Sequence, residues 1–151
     1  MSTRNLRGNK LAWIRLSDFE ALCFNLARQH FTFNQPIPDF ITRSPRVLES
    51  CLETPLQQFG GKVIYPTLEK KLAILFYLLI KNHPFQNGNK RIALTAVLII
   101  LFLNERWLDA MPWAVYRLAI VTAESESKGK DKMLKRIRAF MKRHTVVLIH
   151  P

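Results

Sequence analysis

His83-Pro84-Phe85-Gln86-Asn87-Gly88-Asn89-Lys90-Arg91 is a polar island between two apolar runs, 72–80 and 92–103. Both runs are apolar almost all round, the pattern of helices buried on most faces. A polar loop joining two buried helices lies near the centre of a fold, where its polar groups need partners or a ligand. The chemistry of this loop favours an anion. Gly88 lets the backbone approach a ligand with no Cβ in the way. The second helix is expected to begin at Asn89, so its first N–H groups and its dipole turn positive charge back on the loop. Lys90 and Arg91 then fall in the first turn, the unfavourable end for cations, a cost that a bound phosphate offsets. His83, at the other edge, supplies an imidazole, the side chain most used as a general base.

The same nine residues resemble the signature of the Fic/Doc family, H-x-F-x-(D/E)-(G/A)-N-(G/K)-R, at six of the seven positions where a residue type is required. The resemblance extends to residues 44–55, which are similar to the helix preceding the signature in the shorter, Doc-like (death-on-curing) members. It implies an all-α fold, a helical bundle around a central buried helix with a small β-hairpin flap. It also implies an ATP-dependent enzyme that modifies a protein hydroxyl. His83 would be the catalytic base and Phe85 a structural anchor. Gly88, Asn89 and the helix start would form the anion hole, with Lys90 and Arg91 on the phosphates. Nucleotidyl-transferring members usually carry Gly after the Asn and a second Arg three residues beyond the first; here those positions are Lys90 and Leu94. Both features are similar to Doc, whose members transfer the γ-phosphoryl group of ATP. The expected function is therefore that of a Doc-like toxin, phosphorylating a protein of the translation apparatus and silenced by a small antitoxin protein. The alternatives are an AMP- or other nucleotidyl-transferring enzyme and a non-catalytic nucleotide-binding relative. The one departure is Asn87, where the family has the acid that holds Mg²⁺; a neutral amide oxygen is a weaker ligand for a hard cation. Several Fic proteins carry an inhibitory helix with the motif (S/T)-x-x-x-E-(G/N). The nearest stretch, Thr122-Ala123-Glu124-Ser125-Glu126-Ser127, ends in Ser, so inhibition is expected in trans.

Composition fits this picture. A chain of 151 residues with 48% hydrophobic and 23% charged residues is expected to form one domain, 1–151, with a loose arm at 1–12. No stretch reaches the roughly 18 apolar residues of a membrane span, and no signal-peptide pattern opens the chain, so a cytoplasmic location and no membrane partner are expected. Cys23 and Cys51 sit on apolar helix faces and read as buried free thiols. The net charge of +12 comes with no zinc spacing and no helix-turn-helix pattern. It reads as a solvated basic surface, and nucleic acid is not an expected partner.

In chain order, Ser17 to Glu20 reads as a capping box opening a helix with Phe19, Leu22, Cys23 and Leu26 inward, and His30 ends it. Pro36 and Pro38 mark a loop. Ser44-Pro45 starts a helix that Thr54-Pro55 stops. Gly60-Gly61 signals a hairpin. Thr67 caps the helix leading to the signature, and Asn104 is expected as the left-handed residue closing the helix after it, the most buried helix of the fold. Pro112 opens a helix with Trp113, Tyr116, Leu118 and Ile120 on apolar positions. Asp131 opens the last one, with a basic outer face, and residues 146–149 read as a short strand or docked tail.

Overall fold

The computed structural model describes residues 10–30 and 35–149. Among them the fold is all-α with two minor hairpin-like sheets. Seven helical segments follow one another: α1 (Leu16–Phe19), α2 (Asn25–His30), α3 (Pro45–Glu53), α4 (Leu68–Lys81), α5 (Asn89–Leu103), α6 (Pro112–Glu124) and α7 (Lys130–His144). A π turn, Glu20–Phe24, joins α1 to α2 without a break, so the two run on as one helix. The strands are β1 (Gln58–Phe59) with β2 (Lys62–Val63), and β3 (Arg106–Leu108) with β4 (Thr145–Val147), each pair antiparallel.

The centre is α4. It packs against α5 and α7 and touches α3 and α6. Nearly its whole circumference is buried, Leu68 and Lys71 to Ile80 inclusive, whereas α5 leaves Phe102 and Leu103 exposed. The expectation that the Asn89–Leu103 helix is the most buried is thus corrected. The helix before the signature is covered on four sides, while the far end of α5 emerges at the surface. The start of α4 is capped as expected, Thr67 Oγ1 accepting from the Lys70 N–H at 3.2 Å.

Four other expectations are corrected. Ser17 is not a cap: the first helix begins at Leu16 with Arg15 extended before it, and no side chain caps it. Leu22 and Leu26 face solvent, and Phe24 and Ala27 take their place in the core beside Phe19 and Cys23. The π turn is the reason, since its wider i→i+5 repeat rotates the helix beyond it. Asn104 is not left-handed; that conformation falls to Glu105, with φ 60°. Trp113 and Tyr116 are about two-thirds exposed, and only the Val115, Leu118, Ala119 and Thr122 face of α6 is buried.

Asn104 does something the sequence did not announce. Its side chain, buried, accepts from the Ala12 N–H at 2.9 Å and donates to the Ala12 carbonyl at 2.9 Å. The arm expected to be loose is therefore docked from Lys10 to Ala12; its residues 1–9 lie outside the described ones. Most buried polar side chains among the described residues have partners, as burial requires: Thr95 and Thr122 donate to the carbonyls four residues back, and Lys71 to two carbonyls on the segment before α4. Three buried atoms, Nε of Arg43, Nε of Arg106 and Oγ1 of Thr145, make no hydrogen bond. Both cysteines are free and buried, and burial pushes each thiol up to about 12. No helix among the described residues is long and apolar enough to cross a membrane.

Candidate active site

The loop 82–88 leaves α4 through a residue in an uncommon conformation. α4 ends at Lys81, Asn82 closes it, and His83 takes φ 48°. A left-handed residue just past a helix end frees the chain to turn, but for a side chain other than Gly it costs about 1–3 kcal/mol unless the surroundings impose it. Here they do. The Ser44 N–H, at the start of α3, donates to the Pro84 carbonyl at 2.8 Å. Phe85 is buried under the loop, its ring 5.3 Å from Phe24, 6.1 Å from Phe40 and 6.2 Å from Phe19. The Arg43 guanidinium covers the far side of Phe40, 3.9 Å from its centroid. The expected inward anchor is in place, and the π turn is what brings Phe24 to it.

Asn89 completes the clamp. Its Oδ1 accepts from the Phe85 N–H at 3.0 Å, and its Nδ2 donates to the Phe85 carbonyl at 2.8 Å. These bonds fix the orientation of the amide, so an N–H faces His83 Nδ1, 3.4 Å away. A neutral imidazole meeting that contact carries its proton on Nε2 and its lone pair on Nδ1. The contact is long for a hydrogen bond and yields easily. With the side chain of Asn89 turned under the loop, its main-chain N–H is what it has to offer an anion.

Gly88 sits at φ 82°, and a Cβ there would lie 2.7 Å from Cγ1 of Ile37 and 3.3 Å from Nη2 of Arg91. Its N–H is taken by Oδ1 of Asn87 at 2.8 Å. Arg91 is half-buried, and its Nη1 donates to the Gln35 carbonyl at 2.6 Å. The guanidinium thus lies against the glycine, tied to the segment that also supplies Ile37. His83, Asn87 and Lys90 are exposed on the same loop and first helical turn, whereas Leu94 is half-buried. Gly88→Ala combines a strained φ with an Ile37 clash. It is expected to cost about 1–3 kcal/mol of stability in urea titration, and to weaken ATP binding in calorimetry. Stability equal to wild type would show that the loop relaxes freely.

Two features were missed. A recess of about 390 Å³ opens beside the start of the loop, lined by Arg46, Val47, Ser50 and Asn82. It sets a cation, Arg46, in one recess with Asn82, the residue before His83 in the chain; the signal was the Arg46/Ser50 spacing on the polar side of α3. The shaping role of Ile37 and Gln35 had no signal at all, because it depends on a loop folding back over the signature.

The helix–loop–helix now described lies, but for the end of α5, within the region that a family comparison picks out: the model of the Fic/DOC family matches residues 12–101, more than half of the chain. The chain belongs to the Fic/DOC family. The match ends inside α5, so α6, α7 and the β3–β4 pair lie beyond the part this Fic/DOC protein is matched on. No curated protein and no solved structure matches it.

The family implies Mg²⁺, and the donor set here fits it poorly. Among the described residues no three His, Cys, Asp or Glu side chains are placed to hold a metal ion. At the family's acidic position the amide oxygen of Asn87 is neutral and already accepts from Gly88. A hard divalent cation wants charged oxygens, and this chain does not provide one there.

Proposed function

We propose that this Fic/DOC protein is a Doc-like transferase that moves the γ-phosphoryl group of ATP to a hydroxyl of a protein of the translation apparatus. A small antitoxin protein restrains it, and it works in the cytoplasm. The observation that carries the reading is the fixed loop. It is pinned from beneath by Phe85 and Asn89, and it presents His83, Asn87 and Lys90 outward at the start of α5. Phosphoryl transfer asks little of a protein beyond such positioning and charge stabilisation. In the reaction, His83 takes the proton of the attacking hydroxyl. The hydroxyl oxygen forms a bond to the γ-phosphorus as the bond to the β-bridging oxygen breaks, and ADP leaves. Lys90, the guanidinium of Arg91 and the N–H groups of the helix start offset the charge on the phosphates. Lys90 fills the position where nucleotidyl-transferring members have Gly, and Leu94 offers no charge where they have Arg, which is why the phosphoryl reading is preferred.

The test is radiolabel. ATP labelled on the γ-phosphate should mark proteins of a lysate, and ATP labelled on the α-phosphate should not; the reverse result means nucleotidyl transfer. Asn87 favours a second reading, a relative that binds nucleotide without transfer, and binding with no label from either position would establish it. Asn87→Asp is expected to raise γ-label transfer about tenfold by adding a charged oxygen at the family's metal position. A fall in transfer instead would mean that the amide itself is the working group.

A further inference from the structure

Lys71 is the most unusual residue outside the signature. It is 3% exposed, in the first turn of α4, where the helix dipole disfavours a cation. No carboxylate pairs with it among the described residues, and burial pushes its ammonium below the ordinary lysine range. Such a group is expensive to bury, so its contacts must be worth keeping. They are two backbone carbonyls, those of Pro55 and Tyr65.

These carbonyls flank one element. Between them the chain forms the β1–β2 hairpin, with Gln58 opposite Val63 and Phe59 opposite Lys62. The Ile64 N–H to Gln57 carbonyl bond, 3.2 Å, closes its base. The hairpin has little packing of its own: Gln58, Phe59, Gly60, Gly61 and Lys62 are exposed, Phe59 by 82%. Two strands of two residues do not hold a position unaided. What joins this hairpin to the body is its pair of stems, and one amino group in the core ties both.

We infer that Lys71 is a positioning residue, a pin that fixes both stems of the hairpin to α4 and so holds the hairpin edge where an extended segment of the protein substrate can add to it. This rests on the function proposed above, since a flap that takes the target protein's backbone as an added strand is what membership of the family implies; what is new is the residue that holds the flap. The pin itself does not depend on that reading.

The experiment uses Lys71→Met, which keeps the apolar stem and removes the donors, in the full chain. Spin labels on Phe59→Cys and Lys142→Cys report the distance from hairpin to body. Cys23 and Cys51, buried and with thiols held protonated, do not take the label. The expected result is a distance distribution about twofold broader than with Lys71 in place, as an element freed from its anchor samples more positions. Without the labels, γ-phosphate transfer to lysate proteins should fall about tenfold with ATP binding unchanged, because the lost interaction serves the protein substrate alone. An unchanged distribution overturns the pin. A broader distribution with unchanged transfer overturns its role in the reaction. If the parent protein transfers no label, it is the proposed function that has failed, and the distance distribution alone decides the pin. Should the Met variant not fold, Lys71→Gln, polar but too short to reach both carbonyls, replaces it in every arm.

Discussion

His83→Ala should lower γ-phosphate transfer by about a hundred- to ten-thousandfold, the range over which a positioned base accelerates proton transfer, while ATP binding stays within about twofold of wild type. The separation follows from where the ring is. Its ring meets the Asn89 amide at 3.4 Å, and the anion-binding donors of the loop belong to other residues. A base on this ring acts through Nδ1 as it stands, or through Nε2 after the ring exchanges tautomers; the substitution removes both. It also removes a side chain from a left-handed position, φ 48°, where Ala is no better suited, so the variant gains nothing in stability that could mask the loss. Transfer is read as label on lysate proteins and binding by calorimetry. Transfer at the wild-type rate would make His83 a helix-terminating residue and end the kinase reading.

Phe85→Ala should cost about 3–5 kcal/mol of stability, the usual range for removing a buried aromatic ring, measured as a fall in the urea midpoint. Three rings, Phe19, Phe24 and Phe40, close around Phe85. Two come from the first helix and the third from the separate turn at Phe40–Thr42, so no single shift refills the space. Asn89 and the Ser44 N–H would still hold the main chain at positions 85 and 84, but the packing beneath the loop would be gone. Transfer should fall along with stability, and nucleotide binding with it, unlike the His83 variant. A loss under about 1 kcal/mol, within the range of a surface change, would mean that the loop is held by its hydrogen bonds alone.

Sequence reasoning reached the site and stopped short of its supports. The two apolar runs and the polar stretch between them read directly as helix, loop and helix, because that pattern is local. The Gly60-Gly61 turn, the Thr67 cap and the Pro45 and Pro112 helix starts were legible for the same reason. Each depends on residues within a turn of one another. What escaped depends on distant partners. Asn104 was taken for a left-handed helix stop; it does close α5, without that conformation, and is also a receptor for Ala12, ninety-two residues away. Lys71 carried no signal, because its two carbonyl partners lie on the segment before α4, at Pro55 and Tyr65. Ser17 and Leu22 fitted a regular helix and were placed by that regularity, which the π turn breaks. The greater burial of α4 over α5 could not be read from hydropathy, since both are apolar all round and it is chiefly the packing of α7 on α4 that separates them.

The π turn also bears on ancestry. A π turn spends one more residue per turn than an α-helix. A relative that reaches the same aromatic cluster with a regular helix therefore needs one residue fewer between Phe19 and Phe24. Aligned by sequence, the two chains would differ by a single-residue gap in mid-helix, a place where gaps are ordinarily penalised. Without that gap, Leu22 and Leu26 would be set against core positions of the relative and Phe24 against a surface one. Aligning divergent members over the first helix should therefore allow one inserted residue there.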